Sequence, residues 1–266
     1  MTPAPRHVPA ARTVAVLARR EAAAALGGFG VYIATTVALV AAVWLLLVDV
    51  RALDVAGILV PVDPYRAPLD VALLVLALFF AVSAAVSTAR DRASGTLEVL
   101  FYGPVDETTY LLGKLVGLIV AYAVTLPLVA AGLFGVALLS GFALPGTLPA
   151  SLVLSLVPAG MVVGFGILLA IGTSRVRSAV LVLGVVAFVM LGAAAANSIV
   201  LMVPIDHPSS PVLALRDALA GVNAVLHWVS PFAYMQRIVG EGVAIGAWQT
   251  AGIGVAGALV ATCVML

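Results

Sequence analysis

The sequence predicts an all-α integral membrane protein. It reads as six transmembrane helices with an amphipathic N-terminal helix, a short cytoplasmic helix between spans 2 and 3, and an outer helical or re-entrant segment between spans 5 and 6. Three observations predict this class. Of the 266 residues, 64% are apolar and only 9% are charged, against about 25% charged in soluble domains. Mean hydropathy is +1.23. The charges are also segregated, leaving long uncharged runs at Ala22–Val48, Val71–Ala89, Leu115–Ser174, Ser178–Ile205, Ala218–Gln236 and Gly242–Leu266. A soluble enzyme, a disordered chain and a basic nucleic-acid binder are thereby excluded, the last because the net charge is only +1.

A membrane helix needs about 20 mainly apolar residues, so these runs place approximate spans at 30–48, 70–89, 109–140, 150–173, 178–203 and 246–266 of a single transmembrane domain covering 1–266. The Leu115–Ser174 run holds two helices, with Gly141–Pro149 (GFALPGTLP) turning the chain between them. Pro127 and Pro158 should kink the third and fourth spans. Ala218–Gln236 is less apolar and contains Asn223, His227 and Pro231, so it reads as a pair of short helices outside the membrane or re-entering it. The N-terminus does not read as a secretory signal, because its basic stretch leads into an apolar run too long for one.

Orientation follows from the basic residues. With a cytoplasmic N-terminus, Arg6, Arg12, Arg19, Arg20, Arg90, Arg92, Lys114, Arg175 and Arg177 fall inside, and only Arg51, Arg66, Arg216 and Arg237 fall outside. Both termini are then cytoplasmic. Lys114 is expected to snorkel to the cytoplasmic surface.

The most informative stretch is Arg90–Lys114, RDRASGTLEVLFYGPVDETTYLLGK. Leu97, Leu100 and Phe101 stand at helical spacing on one face, and Glu98 and Tyr102 share another. Gly95 precedes this helix and Gly103-Pro104 ends it. Asp106 and Glu107 then suit the N-terminus of span 3. Such a helix fits docking to a cytoplasmic partner; an interfacial helix lying on lipid is the alternative, although Glu98 is not the basic residue that reading favours.

Ser94–Lys114 resembles the signature region of permease subunits of ATP-binding-cassette (ABC) transporters of the type-2 export class, through Gly95, Thr96, Leu97, Glu98, Pro104, Leu112, Gly113 and Lys114 in order. Leu17–Gly28 is similar to the elbow helix that opens that family, with its Arg-Glu pair, and Ser230–Tyr234 resembles the segment before its last span. The chain departs from the pattern at Asp106-Glu107, where many relatives carry a basic residue. The resemblance implies a coupling helix that docks an ATPase through Gly95, Thr96, Leu97, Glu98, Leu100, Phe101, Tyr102 and Pro104, flanked by Arg19, Arg20 and Glu21 of the elbow. Two ATPase subunits would bind ATP and Mg, and a second permease copy or sister chain would complete the assembly in a bacterial or archaeal inner membrane.

The chain itself shows no catalytic motif and so is expected not to be an enzyme. Gly113-Lys114 lacks the upstream glycine and the following Ser or Thr of a phosphate-binding loop. His7, His207 and His227 are scattered, no metal set is evident, and the single Cys263 cannot form an intrachain disulfide. Charges are missing from the uncharged runs, which argues against a proton- or sodium-driven carrier. The family's second and fifth spans line the substrate path, so the resemblance implies a path past Ser83, Ser87, Thr88, Asn197 and Ser198, suited to a hydrophobic or amphipathic cargo. Ordinary interhelical hydrogen bonding explains those residues equally well. Gly113/Gly117, Gly160/Gly164 and Gly242/Gly246 have the four-residue spacing of close helix packing. Two other functions remain open at this point. One is a non-transporting membrane scaffold or assembly factor. The other is a haem-export permease of cytochrome maturation, disfavoured by the chain's length and its long outer segment.

Overall fold

The computed structural model describes residues 10–55, 64–96, 106–173, 175–202 and 211–240. Within them the chain is all-helical. The helices are α1 (Ala10–Leu26), α2 (Phe29–Val55), α3 (Arg66–Ala93), α4 (Glu107–Ser140), α5 (Leu148–Leu154), α6 (Leu156–Ile171), α7 (Val176–Met202), α8 (Pro211–Val229) and α9 (Pro231–Gly240). Five segments are long and apolar enough to cross a membrane: Phe29–Arg51, Arg66–Ala93, Glu107–Ser140, Leu148–Ile171 and Val176–Leu201. The protein is thus a multi-pass helical membrane protein. The expected sixth span, 246–266, lies outside the described residues.

The spans α2, α3 and α4 alternate in direction. The start of α3 meets the end of α4 through Tyr65 Oη and Ser140 Oγ, 3.2 Å apart. The opposite end of α3 meets the end of α6, where Arg92 Nη1 donates to the Ile171 carbonyl at 2.5 Å. We call the latter the charged end. It also holds Asp91 beside Lys114, at the start of α4.

α3 is the hub of the bundle. Its contacts reach α2, α4, α6, α7 and α9. The reason lies in its side chains: Ala72, Ala77, Ala81, Ala84, Ala85 and Ala89 are all essentially fully buried. Lipid supplies no hydrophobic drive between apolar helices, so close van der Waals packing over small residues must hold them together. Gly166 of α6 shows how close this is, because a Cβ there would lie 2.5 Å from the Ala81 carbonyl oxygen. By contrast α2 buries one stripe, Val31, Ala34, Ala38, Ala42 and Leu46, and turns Ile33, Val37, Val40, Trp44 and Leu47 outward. That is the lipid-facing pattern of an outer helix.

Helix ends differ from the expected spans for local reasons. α2 continues past Asp49 and Arg51, and α3 begins at Arg66 rather than 70, because Pro68 falls in its first turn, where a missing N–H costs nothing. α4 ends as the turn residues predict. Gly141 takes the left-handed conformation (φ 74°) and donates its N–H to the Ala137 carbonyl at 2.9 Å. The next helix starts with Pro149 in its first turn. The fourth span is interrupted at Ser155, one turn before Pro158. Pro158 has no N–H for the Leu154 carbonyl and its ring crowds that group, so the break sits where proline chemistry puts it. Ser155 Oγ donates to the Leu152 carbonyl (2.7 Å) and is bonded to Tyr122 Oη of α4 (3.1 Å). α4, in contrast, runs unbroken through Pro127.

The segment expected as two short helices forms α8 and α9, joined at Ser230, although α8 is 19 residues long. Arg216 of α8 donates to the Leu201 carbonyl (2.9 Å) and the Val200 carbonyl (3.3 Å), holding α8 to the end of α7. α9 buries Phe232 and Met235 against α3, α5 and α6.

Introducing a Cβ at the α3–α6 contact should test this packing. Gly166→Val is expected to cost about 1–3 kcal/mol or more through overpacking against backbone, read as a lower thermal midpoint of the purified protein in detergent. Gly135→Val, where a Cβ meets nothing within 4 Å, should leave the midpoint within about 0.5 kcal/mol of the parent.

Candidate functional site at the charged end

α4 has 34 residues, about 51 Å at 1.5 Å per residue. A hydrocarbon core is about 30 Å thick, and even a tilt of about 40° would fit only about 39 Å of core-spanning length. At least one end of α4 therefore stands clear of the hydrocarbon. The end carrying Glu107 and Lys114 is the one whose charges require it.

α1 is built against this part of α4. Its inward face is Val14, Leu17, Ala18, Glu21, Ala22 and Ala25, at helical spacing, while Arg12, Arg19 and Arg20 are exposed on the other side. The two helices run in the same direction. A Cβ on Gly113 would lie 2.7 Å from Leu17 Cβ, and one on Gly117 would lie 2.6 Å from the Ala18 carbonyl oxygen and 2.8 Å from Glu21 Cβ. The Gly113/Gly117 pair is thus a packing groove within the chain, filled by α1. Gly160 of α6 likewise admits Ile119 of α4, 3.0 Å from a Cβ placed there, whereas at Gly164 a Cβ would make only ordinary contact with Leu115 (3.9 Å). Gly242 and Gly246 lie outside the described residues.

The close approach delivers Glu21 to Lys114. The Lys114 side chain is only 1% exposed, so it does not snorkel outward as expected. A protein-lined site with fixed carboxylates replaces water for it. Lys114 Nζ donates to Asp91 Oδ2 of α3 at 2.6 Å and to Tyr110 Oη at 2.8 Å. Tyr110 Oη in turn donates to the same Asp91 oxygen at 2.6 Å. Glu21 Oε1 of α1 stands 3.9 Å from Nζ. Tyr110 and Lys114 are neighbours on one face of α4 by their four-residue spacing, and the cation lies 5.0 Å from the Tyr110 ring centre. One buried cation therefore joins three helices. Leaving it without a carboxylate would cost several kcal/mol.

Immediately beyond Asp91 and Arg92, α3 stops. Ser94 donates its N–H to the Arg90 carbonyl (2.9 Å), and Gly95 takes φ 69°, a left-handed conformation that a side chain would strain. Thr96 Oγ1 is 2.6 Å from Ser94 Oγ. The chain re-enters at Asp106, whose carbonyl accepts the Tyr110 N–H at 3.0 Å. Its carboxylate makes no capping bond, so its favourable contribution there is through the helix dipole.

Of the expected docking residues, Gly95, Thr96, Arg19, Arg20 and Glu21 are described. Leu97, Glu98, Leu100, Phe101, Tyr102 and Pro104 lie outside the described residues. The expected path residues are not brought together within one chain. Ser83, Ser87 and Thr88 sit toward the charged end of α3, and Asn197 and Ser198 sit near the far end of α7. Ser87 bonds the Ala84 carbonyl (3.2 Å) and Ser198 the Ala194 carbonyl (3.1 Å), as ordinary helical serines do. Thr88 is buried, and its Oγ1 has no hydrogen-bond partner. Among the described residues, no group of three or more His, Cys, Asp or Glu could hold a metal ion.

Sequence reasoning missed Asp91 and Tyr110. Asp91 is an acid between two arginines and Tyr110 a tyrosine four residues before a lysine. Only the meeting of α1, α3 and α4 makes them partners.

Gly117→Val should displace α1 from α4, since the new methyls meet the Ala18 backbone rather than a movable side chain. The expected result is strong thiol labelling of a cysteine placed at Ala18, which is buried in the parent. Unchanged protection of that cysteine would refute the packing. No family model matches this chain, and no curated protein shows significant similarity to it.

Proposed function

We propose that this chain is the transmembrane subunit of an ATP-driven ABC transporter of the type-2 export class. In this reading it exports a hydrophobic or amphipathic substrate and is energised by a separate ATPase docking on the Arg90–Glu107 segment. The charged end then faces the cytoplasm of a bacterial or archaeal inner membrane, α1 is the elbow helix, and residues 97–104 supply the coupling helix. A second copy or a sister chain completes the substrate path, which would bring the α3 and α7 hydroxyls of two chains into one assembly. Hydrolysis of ATP, with its Mg, is the work of two partner subunits.

The observation that carries this reading is mechanical. Force applied to a segment between α3 and α4 needs a connection to the bundle, and the Lys114 cluster and the Arg92–Ile171 bond tie the end of α3 to α4 and α6. Three positions of the family-like pattern also have a physical use here: Gly95 turns the chain at the end of α3, Gly113 admits α1, and Lys114 anchors it. Arg19 and Arg20 are exposed on α1, within reach of a soluble partner.

The reading predicts that a soluble ATPase co-purifies with the chain from its native membrane. Glu98→Lys should lower substrate-stimulated ATP turnover by about tenfold, the loss of about 1.4 kcal/mol of coupling, with the thermal midpoint of the membrane subunit retained. Purification of a stable native particle without any nucleotide-binding subunit would favour the scaffold alternative.

A further inference from the structure

The geometry points to Lys114 as a latch that exchanges its carboxylate partner from Asp91 to Glu21 when the end of α3 moves. Lys114 has two acids within reach and is bonded to one. Asp91 holds it at 2.6 Å, while Glu21 waits at 3.9 Å, beyond hydrogen-bond length by about 1 Å. A rotamer change of the long lysine side chain covers that gap without backbone movement. The two acids have partial access to water, with side chains 23% and 19% exposed, so whichever is released can be solvated. The cation, 1% exposed, cannot be released to water in place. It must keep at least one of the two acids, so loss of Asp91 commits it to Glu21.

The two acids also differ in what they are attached to. Glu21 is fixed relative to Lys114, because α1 and α4 touch backbone to backbone at Gly117. Asp91 belongs to the last turns of α3, four residues before the left-handed Gly95 that leads into residues 97–105. Asp91 is therefore the partner that a pull on that segment would remove. With Asp91 drawn away, Tyr110 loses the acceptor for its hydroxyl at the same time, and Lys114 turns to Glu21. The α1–α4 pair is tightened as the α3–α4 contact opens. Lys114 acts here as a positioning residue. The consequence for transport rests on the permease reading above, whereas the exchange itself does not.

The test uses the purified full-length chain in lipid nanodiscs, with no ATPase present. Asp91→Asn alone should lower the thermal midpoint modestly, since Glu21 takes the cation. Glu21→Gln alone should lower it slightly, since Asp91 already holds it. The double variant should lose at least about twice the sum of the single losses, because a buried lysine is then left unpaired. Adding Lys114→Met to the double variant should recover most of that loss. Spin labels at the exposed positions Val16 and Arg90, in a Cys263→Ser background, report the motion. Asp91→Asn should add a longer Val16–Arg90 distance population, and Glu21→Gln should keep the single parental one.

Additive losses, or a parental distance distribution in Asp91→Asn, would overturn the latch. If the double variant does not fold, recovery of folding by Lys114→Met supports the exchange and its failure counts against it. Failure of an ATPase to co-purify would remove the permease reading and leave these results standing. Additive losses would remove the latch and leave the permease reading in place.

Discussion

A buried ammonium group has to be answered by a carboxylate, and the charged end of this protein is organised around that requirement. Lys114 sits two turns inside α4, shielded from water by α1 and α3. Neither neighbour could cover it without supplying charge and hydrogen-bond acceptors. α3 supplies Asp91 and α1 supplies Glu21, while Tyr110 spans the gap between cation and acid. The geometry that permits this is a matter of missing side chains. Gly113 and Gly117 let α1 come close enough for Glu21 to face the lysine. Removing the glycines would separate the charges, and removing the charges would leave the close approach without its polar counterpart.

The two ends of the bundle are held differently, and the difference matches what each must do. At the end remote from Lys114, the helices are tied by single fixed contacts: a Tyr65–Ser140 hydroxyl pair and Arg216 donation to the last carbonyls of α7. In the middle, α3 packs through alanine against nearly every other span, with Phe80 and Tyr122 in an edge-on ring contact 5.9 Å apart. Packing of this density transmits displacement instead of absorbing it. The charged end offers Lys114 two alternative partners of like chemistry, Asp91 and Glu21. A push delivered there meets an interface that can rearrange, attached to a core that cannot easily deform. That pairing of a switchable end with a stiff bundle is what a subunit driven by an external motor requires, and it is the physical content of the proposed function.

Some of this was legible residue by residue. Uncharged runs gave five spans close to their observed limits, since a bilayer imposes a length and a composition that no tertiary detail can override. Gly141 and Pro149 marked a turn that forms as expected, and Pro158 marked the interruption of the fourth span, because both act through local backbone chemistry. The amphipathic face of α1 was visible in the spacing from Val14 to Ala25. Span limits near Asp49 and Arg66 were less legible, because charged residues end an apolar run without ending a helix.

The sequence by itself determined that this chain enters a membrane, about where it crosses, and that its few charges gather at one informative segment. It also set Tyr110 and Lys114 on one face of their helix, since four residues make about one turn. Only the tertiary structure decided that Lys114 points inward, that Asp91 rather than solvent receives it, and that the Gly113/Gly117 groove is filled by the chain's own first helix. The reason is common to all of these. Composition and periodicity report how each segment meets water or lipid, whereas the partner of a buried charge depends on which helices adjoin, and in a bundle of similar apolar helices that is settled by close packing between residues far apart in the chain.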